Sequence, residues 1–144
     1  MTITRPTRPL PLPDQDTSVF WDGTRNGKLL IQRCTACSRT QFYPRYFCTL
    51  CAADIEWIEA SGLGTIYTFS IVRQNGTPPF DSLVPYVLAM VDLDEGVRMM
   101  GNVVDVDVDD VAIGQRVRVD FIRETEEIWL PMWRRVPDDA EMAR

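Results

Sequence analysis

Four cysteines stand in two pairs, Cys34-x-x-Cys37 and Cys48-x-x-Cys51, and they are all the cysteines of the chain. Each pair has the length of a tight knuckle that turns two thiolates to one side, and ten residues between the pairs let a short hairpin return the second knuckle to the first. Two such knuckles build a four-thiolate tetrahedron with metal–sulfur distances of ~2.3 Å. Zinc is the metal this set implies, and iron fits the same thiolates. With all four positions filled there is none left for substrate, so the metal folds a segment too small for a core of its own. A redox pair would need a βαβ setting that the pattern lacks. Four cysteines in 144 residues are too sparse for a disulfide scaffold.

The sequence around this segment divides into four parts. Residues 1–17 form a proline-rich arm with Pro6, Pro9, Pro11 and Pro13, expected to be extended. Residues 18–60 hold a short helix and the metal ribbon. Asp14 or Asp16 is placed to cap the helix, which carries Val19, Phe20 and Trp21, and Gly23 and Gly27 are expected to break it. Residues 28–33 and 55–58 read as strands on either side of the cysteines. Residues 61–137 change character and read as strands of period two. Tyr67, Phe69 and Ile71 share one predicted face. PYVLAMVDL is apolar on both sides, as in a strand buried twice. Asp94, Glu95 and Gly96 mark a hairpin, and Gly101 marks a bulge or bend. Val117, Val119 and Phe121 share a further face, and Pro131 makes the last strand an edge or bulged one. Five strands in so short a span predict a mainly β chain ending in a five-stranded Greek-key barrel of the OB-fold kind. Residues 138–144 are an acidic tail.

The residue inventory limits the chemistry. The net charge is −6, there is no histidine, and Lys28 is the one lysine. That balance argues against a nucleic-acid track, which draws its affinity from clustered cations. It also leaves no Ser–His or Cys–His pair for nucleophilic catalysis. Asp105, Asp107, Asp109 and Asp110 alternate, but an EF-hand loop would need glycine and glutamate where Asp110 and Arg116 stand, so a solvated segment is the better reading. No run is long and apolar enough for a membrane span or a signal peptide, and a cytoplasmic protein is expected.

Two clusters remain as binding candidates. Arg39, Phe42, Arg45 and Phe47 lie between the knuckles, and guanidinium groups beside aromatic rings suit phosphates and a base. Single-stranded nucleic acid and a nucleotide cofactor would both fit, as would a ribbon that merely uses its aromatics as a core. Phe20 and Trp21 on the helix, and Trp129 and Trp133 in the last strand, are candidates for a partner surface. The alternative for each pair is packing, on the ribbon or in the bottom of the barrel.

The stretches FWDGTRNGKLLIQRCTAC, FYPRYFCTLC, SGLGTIYTFSIV, Pro78 to Phe80, VPYVLAMVDLDEGVRMMGNVV and IGQRVRVDF occur in an order that resembles the acyl-CoA-associated zinc-ribbon/OB-fold proteins, first catalogued as a domain of unknown function. The resemblance covers roughly residues 18–136. It implies a rubredoxin-like zinc ribbon followed by an OB barrel, in a non-catalytic partner of an enzyme that acts on acyl-CoA thioesters. The implied partner is a thiolase-superfamily protein of the lipid-transfer type, or a hotdog-fold hydratase, in pathways that include sterol side-chain degradation. The partner would supply the catalytic groups, and Arg39, Phe42, Arg45 and Phe47 would meet the CoA end as a shared ligand. The competing readings are a single-stranded nucleic-acid module and a stand-alone acyl-CoA carrier or hydrolase.

Overall fold

The computed structural model describes residues 8–137. The start of the proline-rich arm and the acidic tail lie outside the described residues. One helix, α1 (Ser18–Arg25), precedes eight strands: β1 (Leu30–Cys34), β2 (Thr40–Gln41), β3 (Ile55–Glu59), β4 (Leu63–Val72), β5 (Tyr86–Leu93), β6 (Arg98–Val103), β7 (Arg116–Arg123) and β8 (Trp129–Arg135). The first three form an antiparallel sheet in the order β2-β1-β3, and the last five close into a barrel in the order β4-β5-β6-β8-β7. That circuit, closed by a parallel contact between the third and fifth barrel strands, is the OB arrangement expected from the strand count.

The barrel core follows from alternation. Along β5, Val87, Ala89, Val91 and Leu93 are buried, while Tyr86, Leu88, Met90 and Asp92 are half-buried. This strand therefore has one inner face, not two, and its outer face is partly covered. On β4 the predicted face of Tyr67, Phe69 and Ile71 is also corrected. The register slips between Ile66 and Thr68, opposite Val91 and Met90, so Tyr67 is the extra residue of a bulge. Ile66 points inward, Tyr67 is exposed, and the guanidinium of Arg98 stacks 3.5 Å over its ring.

Gly101 is no bulge, since β5 and β6 pair without interruption through Ala89 and Gly101. A Cβ there would come within 2.9 Å of Trp133 Nε1, so glycine is needed for the indole to cross β6. Trp133 is fully buried and makes the one ladder pair between β6 and β8, with Val103. Pro131, two residues earlier, pairs only with Phe121 of β7, the edge-like position a proline tolerates.

The helix joins the two sheets. Asp14 takes hydrogen bonds from the Thr17 hydroxyl and from the Asp16 and Thr17 amides, and Thr17 itself is the capping position. The Thr17 hydroxyl, followed by those amides, holds the Asp14 carboxyl below the usual range. Gly23 does not break the helix. It lies inside α1, where a Cβ would meet Leu30 at 2.9 Å, and so lets β1 approach. Phe20 and Trp21 turn inward with their rings 4.9 Å apart, edge to face, and Phe20 meets Phe42 of the ribbon at 5.4 Å. All three belong to, or pack against, a core shared with Leu29, Ile31, Val91 and Trp133. The β5–β6 hairpin completes the junction. The Thr40 hydroxyl donates to the Glu95 carbonyl at 2.9 Å, and the Ser61 amide donates to the Glu95 carboxylate at 3.0 Å.

Candidate functional site

The four cysteine sulfurs all lie within 4.8 Å of one another, the one such group of potential metal ligands among the described residues. Their two knuckles repeat the same hydrogen bonds. The Cys34 amide donates to the Arg39 carbonyl and the Ser38 amide to the Cys34 carbonyl. Fourteen residues on, Cys48 does the same with Ala53, and Ala52 with Cys48. Ser38 and Ala52, each just after the second cysteine of a knuckle, both have φ of 63°. Non-glycine residues in that region persist only where the surroundings enforce it. The amides of Ala36 and Cys37 point at the Cys34 sulfur at 3.4 Å.

Electrostatics favour a cation at this place. Backbone amides, that of Cys37 first, pull the Cys34 thiol down, and those of Cys51 and Leu50 bring Cys48 down to about 6. Cys51 feels a lowering amide from Ala53, yet the crowding sulfurs, Cys34 first, and its own burial push it up to about 12. Four thiolates at this spacing repel one another, and a dication removes that repulsion. The donor set therefore fits zinc, held by Cys34, Cys37, Cys48 and Cys51, and it fits iron equally in ligand type. Cys34 and Cys48 are buried while Cys37 and Cys51 are exposed, so the centre lies at the ribbon surface.

The loop between β2 and the second knuckle is gripped from behind and displayed in front. Gln32 and Gln41 face each other across β1 and β2 and are buried, at 1% and 8% exposure. Their amides bond the main chain of the loop at Arg45, Phe47 and Thr49. Outward stand Tyr43, Tyr46, Phe47 and Leu50, exposed by 44%, 80%, 51% and 67%. The Arg45 guanidinium lies 5.8 Å from the centre of the Tyr43 ring. Of the four residues expected at a CoA site, Arg39, Arg45 and Phe47 are exposed, and Phe42 is not available. Its ring is packed between Phe20 and Tyr43.

The expected aromatic partner surface is corrected on burial. Phe20, Trp21 and Trp133 are 1%, 9% and 0% exposed and serve the core, which leaves Trp129, half-buried, as the one of the four with an open side. The exposed aromatics are instead those of the ribbon loop. Tyr46 lies two residues before Cys48 and Leu50 adjoins Cys51, but no spacing or motif singles either out. Gln32 and Gln41 carried no motif that could have singled them out.

The acidic run forms no cation site. Asp105 pairs with Arg134, and Asp107 caps the short 3-10 turn at Asp109. At one end of the barrel, Phe80, Leu83, Tyr86, Val106 and Met132 line an open cavity of about 380 Å³, with Arg8 lying across Phe80. Its walls are mostly apolar, with Arg8, Tyr86, Asn102 and Asp105 as the polar groups. No helix among the described residues is long and apolar enough to cross a membrane.

Comparisons with known proteins agree with this anatomy. Residues 21–56 match the rubredoxin-like zinc ribbon domain of ChsH2, and residues 57–121 match the C-terminal OB-fold domain of ChsH2. A "DUF35 domain-containing scaffold protein" of Methanocaldococcus jannaschii is 37% identical over 101 residues, covering 69% of this chain and 71% of its own. A "probable enoyl-CoA hydratase alpha subunit" of Thermomonospora curvata is 33% identical over 128 residues, and a "3-oxo-4,17-pregnadiene-20-carboxyl-CoA hydratase alpha subunit" of Mycobacterium tuberculosis is 36% identical over 113. The chain spans only 40% and 35% of those two hydratase subunits. Among solved structures, a chain of an "Ltp2-ChsH2(DUF35) aldolase" superposes with a TM-score of 0.79 at 32% identity, covering 87% of this chain and 98% of that one. A DUF35 protein of unknown function from Sulfolobus solfataricus shares the fold, with a TM-score of 0.61 at 15% identity. The knuckle geometry, the order of ribbon and barrel, and these matches together show that the chain belongs to the ChsH2-type DUF35 family of zinc-ribbon/OB-fold proteins.

Proposed function

We propose that this chain is a non-catalytic accessory subunit of a thiolase-like, aldolase-type enzyme that acts on acyl-CoA thioesters in steroid side-chain degradation. The observation that carries the reading is the likeness to the DUF35 chain of the Ltp2-ChsH2 aldolase, which extends over 98% of that chain at 32% identity. The residue inventory supports it, because a chain with no histidine and a single lysine is suited to shaping a site rather than running its chemistry. The four-cysteine centre, with zinc bound, fixes the ribbon. Arg39, Arg45 and Phe47 are exposed and offer guanidinium groups and a ring suited to a CoA phosphate and adenine, which supports their role as CoA contacts, and Trp129 is the remaining candidate for contact with the partner. In this reading the functional units are the arm, 1–17, the helix and ribbon, 18–60, the barrel, 61–137, and the tail, 138–144.

A hydratase partner is the second reading, favoured by the names of two relatives. Isolation of the tagged chain from its own cell, with size-exclusion chromatography and mass spectrometry, separates the two. The leading reading expects a stoichiometric thiolase-like subunit. A stoichiometric hotdog-fold subunit would favour the second reading. Recovery of the chain alone, or with RNA, would overturn both.

A further inference from the structure

The two buried glutamines of the ribbon do something that packing alone does not require. Gln32 Nε2 donates to the Arg45 carbonyl at 2.8 Å, and Gln32 Oε1 accepts from the Arg45 amide at 2.9 Å. Gln41 Nε2 donates to Gln32 Oε1 at 2.8 Å and to the Phe47 carbonyl at 3.1 Å, while Gln41 Oε1 accepts from the Thr49 amide at 3.1 Å. The two side chains thus read the loop backbone at alternate residues, 45, 47 and 49. The cysteine centre takes hold at 48. A leucine or methionine would fill the same space, but it lacks the donor and the acceptor that a primary amide offers to the main chain at once. A buried polar group costs free energy unless it is fully bonded, and here the loop supplies those bonds, so the amides and the loop shape depend on each other. Every side chain left outside this grip between 43 and 50, apart from Pro44 and Cys48, is exposed.

We infer that Gln32 and Gln41 are positioning residues: they hold the loop that carries Arg45 and Phe47 in its binding shape before any ligand arrives. This rests on the reading of that loop as part of a CoA site. An unheld loop would have to be ordered on binding, which weakens affinity without removing a single ligand contact. The glutamines would therefore control affinity from behind the loop.

The test uses the complex purified from the cell, with coenzyme A as the probe, and three readouts. These are the exchange rates of the Arg45 and Thr49 amides, the absorption spectrum of the cobalt-substituted centre, and CoA affinity by calorimetry. Gln41→Glu keeps the size and removes at least one of the two donated bonds. Gln32→Met keeps the length and removes all amide bonding, and it serves if Gln41→Glu does not fold. The expected result is exchange faster by about tenfold or more, an unchanged cobalt spectrum, and CoA affinity lower by about tenfold. Arg45→Ala should weaken CoA binding to a similar degree with slow exchange retained. Unchanged exchange would overturn the inference. So would faster exchange with wild-type CoA affinity while Arg45→Ala weakens it, and so would loss of the cobalt spectrum in both glutamine variants. An Arg45→Ala variant with wild-type CoA affinity would overturn the CoA reading alone, and the clasp would then stand or fall on the exchange rates.

Discussion

The ribbon and the barrel solve the same problem by different means. Between Cys34 and Cys51 the buried side chains are Cys34, Gln41, Pro44 and Cys48. No aliphatic core exists there. The segment is held by its sulfur cluster and by amides that bond main chain. In the barrel, four alternate residues of β5 alone are buried and apolar, and Trp133 fills the centre. A region held by a metal and hydrogen bonds can leave its aromatics outside. A region held by apolar burial must spend them inside, as the fates of Tyr46 and Trp133 show. This is why the exposed aromatic surface of the loop falls on the smaller part of the molecule.

Metal removal should break this contrast most sharply. Structural zinc in small ribbons supplies on the order of 10 kcal/mol of apparent folding free energy. Chelation, or Cys48→Ala, should therefore unfold residues 34–54 and raise their amide exchange to unprotected rates, while protection along β5 and β6 persists. Loss of the barrel at the same chelator concentration would show that the two regions are not separable. Affinity for the metal should rise with pH, because Cys51, whose thiol the neighbouring sulfurs and burial push up to about 12, must give up its proton on binding.

The converse test is Trp133→Ala. Emptying a fully buried indole site should cost the barrel about 3–5 kcal/mol, measured by denaturant unfolding, with the cobalt spectrum of the ribbon unchanged. A smaller effect is expected from Gly101→Ala. Its new Cβ meets Trp133 Nε1 at 2.9 Å, an overpacking that costs about 1–3 kcal/mol. The same substitution at the exposed Gly76, where nothing lies within 4 Å, should be close to neutral.

The smallest effect belongs to the charged outer face of the barrel. Arg98 binds Asp92 and Arg116 binds Asp94 through paired hydrogen bonds, and these depress both carboxyls below their ordinary value of 3.8. A depressed carboxyl contributes stability above its unfolded pKa and loses it as pH falls through the folded value. The contribution should therefore be complete at neutral pH, begin to fall near pH 4 and vanish only below the depressed folded values. Both pairs are exposed and screened, so Arg116→Gln should shift the melting temperature only marginally at neutral pH and not at all in strong acid. A large neutral-pH shift would mean that the outer face holds the barrel as its core does.

The parts legible in the sequence were those fixed by local spacing. Two pairs of cysteines at C-x-x-C spacing fit two knuckles, and the apolar run of β5 and the alternation of Val117, Val119 and Phe121 in β7 fit strands. Parts set by tertiary contact were not legible. Phe20 and Trp21 look exposed on a terminal helix until β1, β7 and β8 are seen to pack on it. The bulge at Tyr67 reverses which residues of β4 share a face, and nothing in TIYTFSIV announces it. Gly101 was visible as unusual, but its cause, an indole from a strand thirty residues away, is a close approach that only the closed barrel creates. Gln32 and Gln41 lacked any signal, because a buried amide is recognised by what it bonds.

The central claim is that this chain completes a site whose catalytic groups belong to another subunit. The most direct measurement is acyl-CoA turnover by the purified chain, by the proposed thiolase-like partner, and by the two reconstituted together. The account predicts no turnover by the chain alone, weak or absent turnover by the partner alone, and full activity with a lower KM for acyl-CoA on mixing. Turnover by the chain alone, or a partner whose rate and KM do not respond to it, would contradict the account.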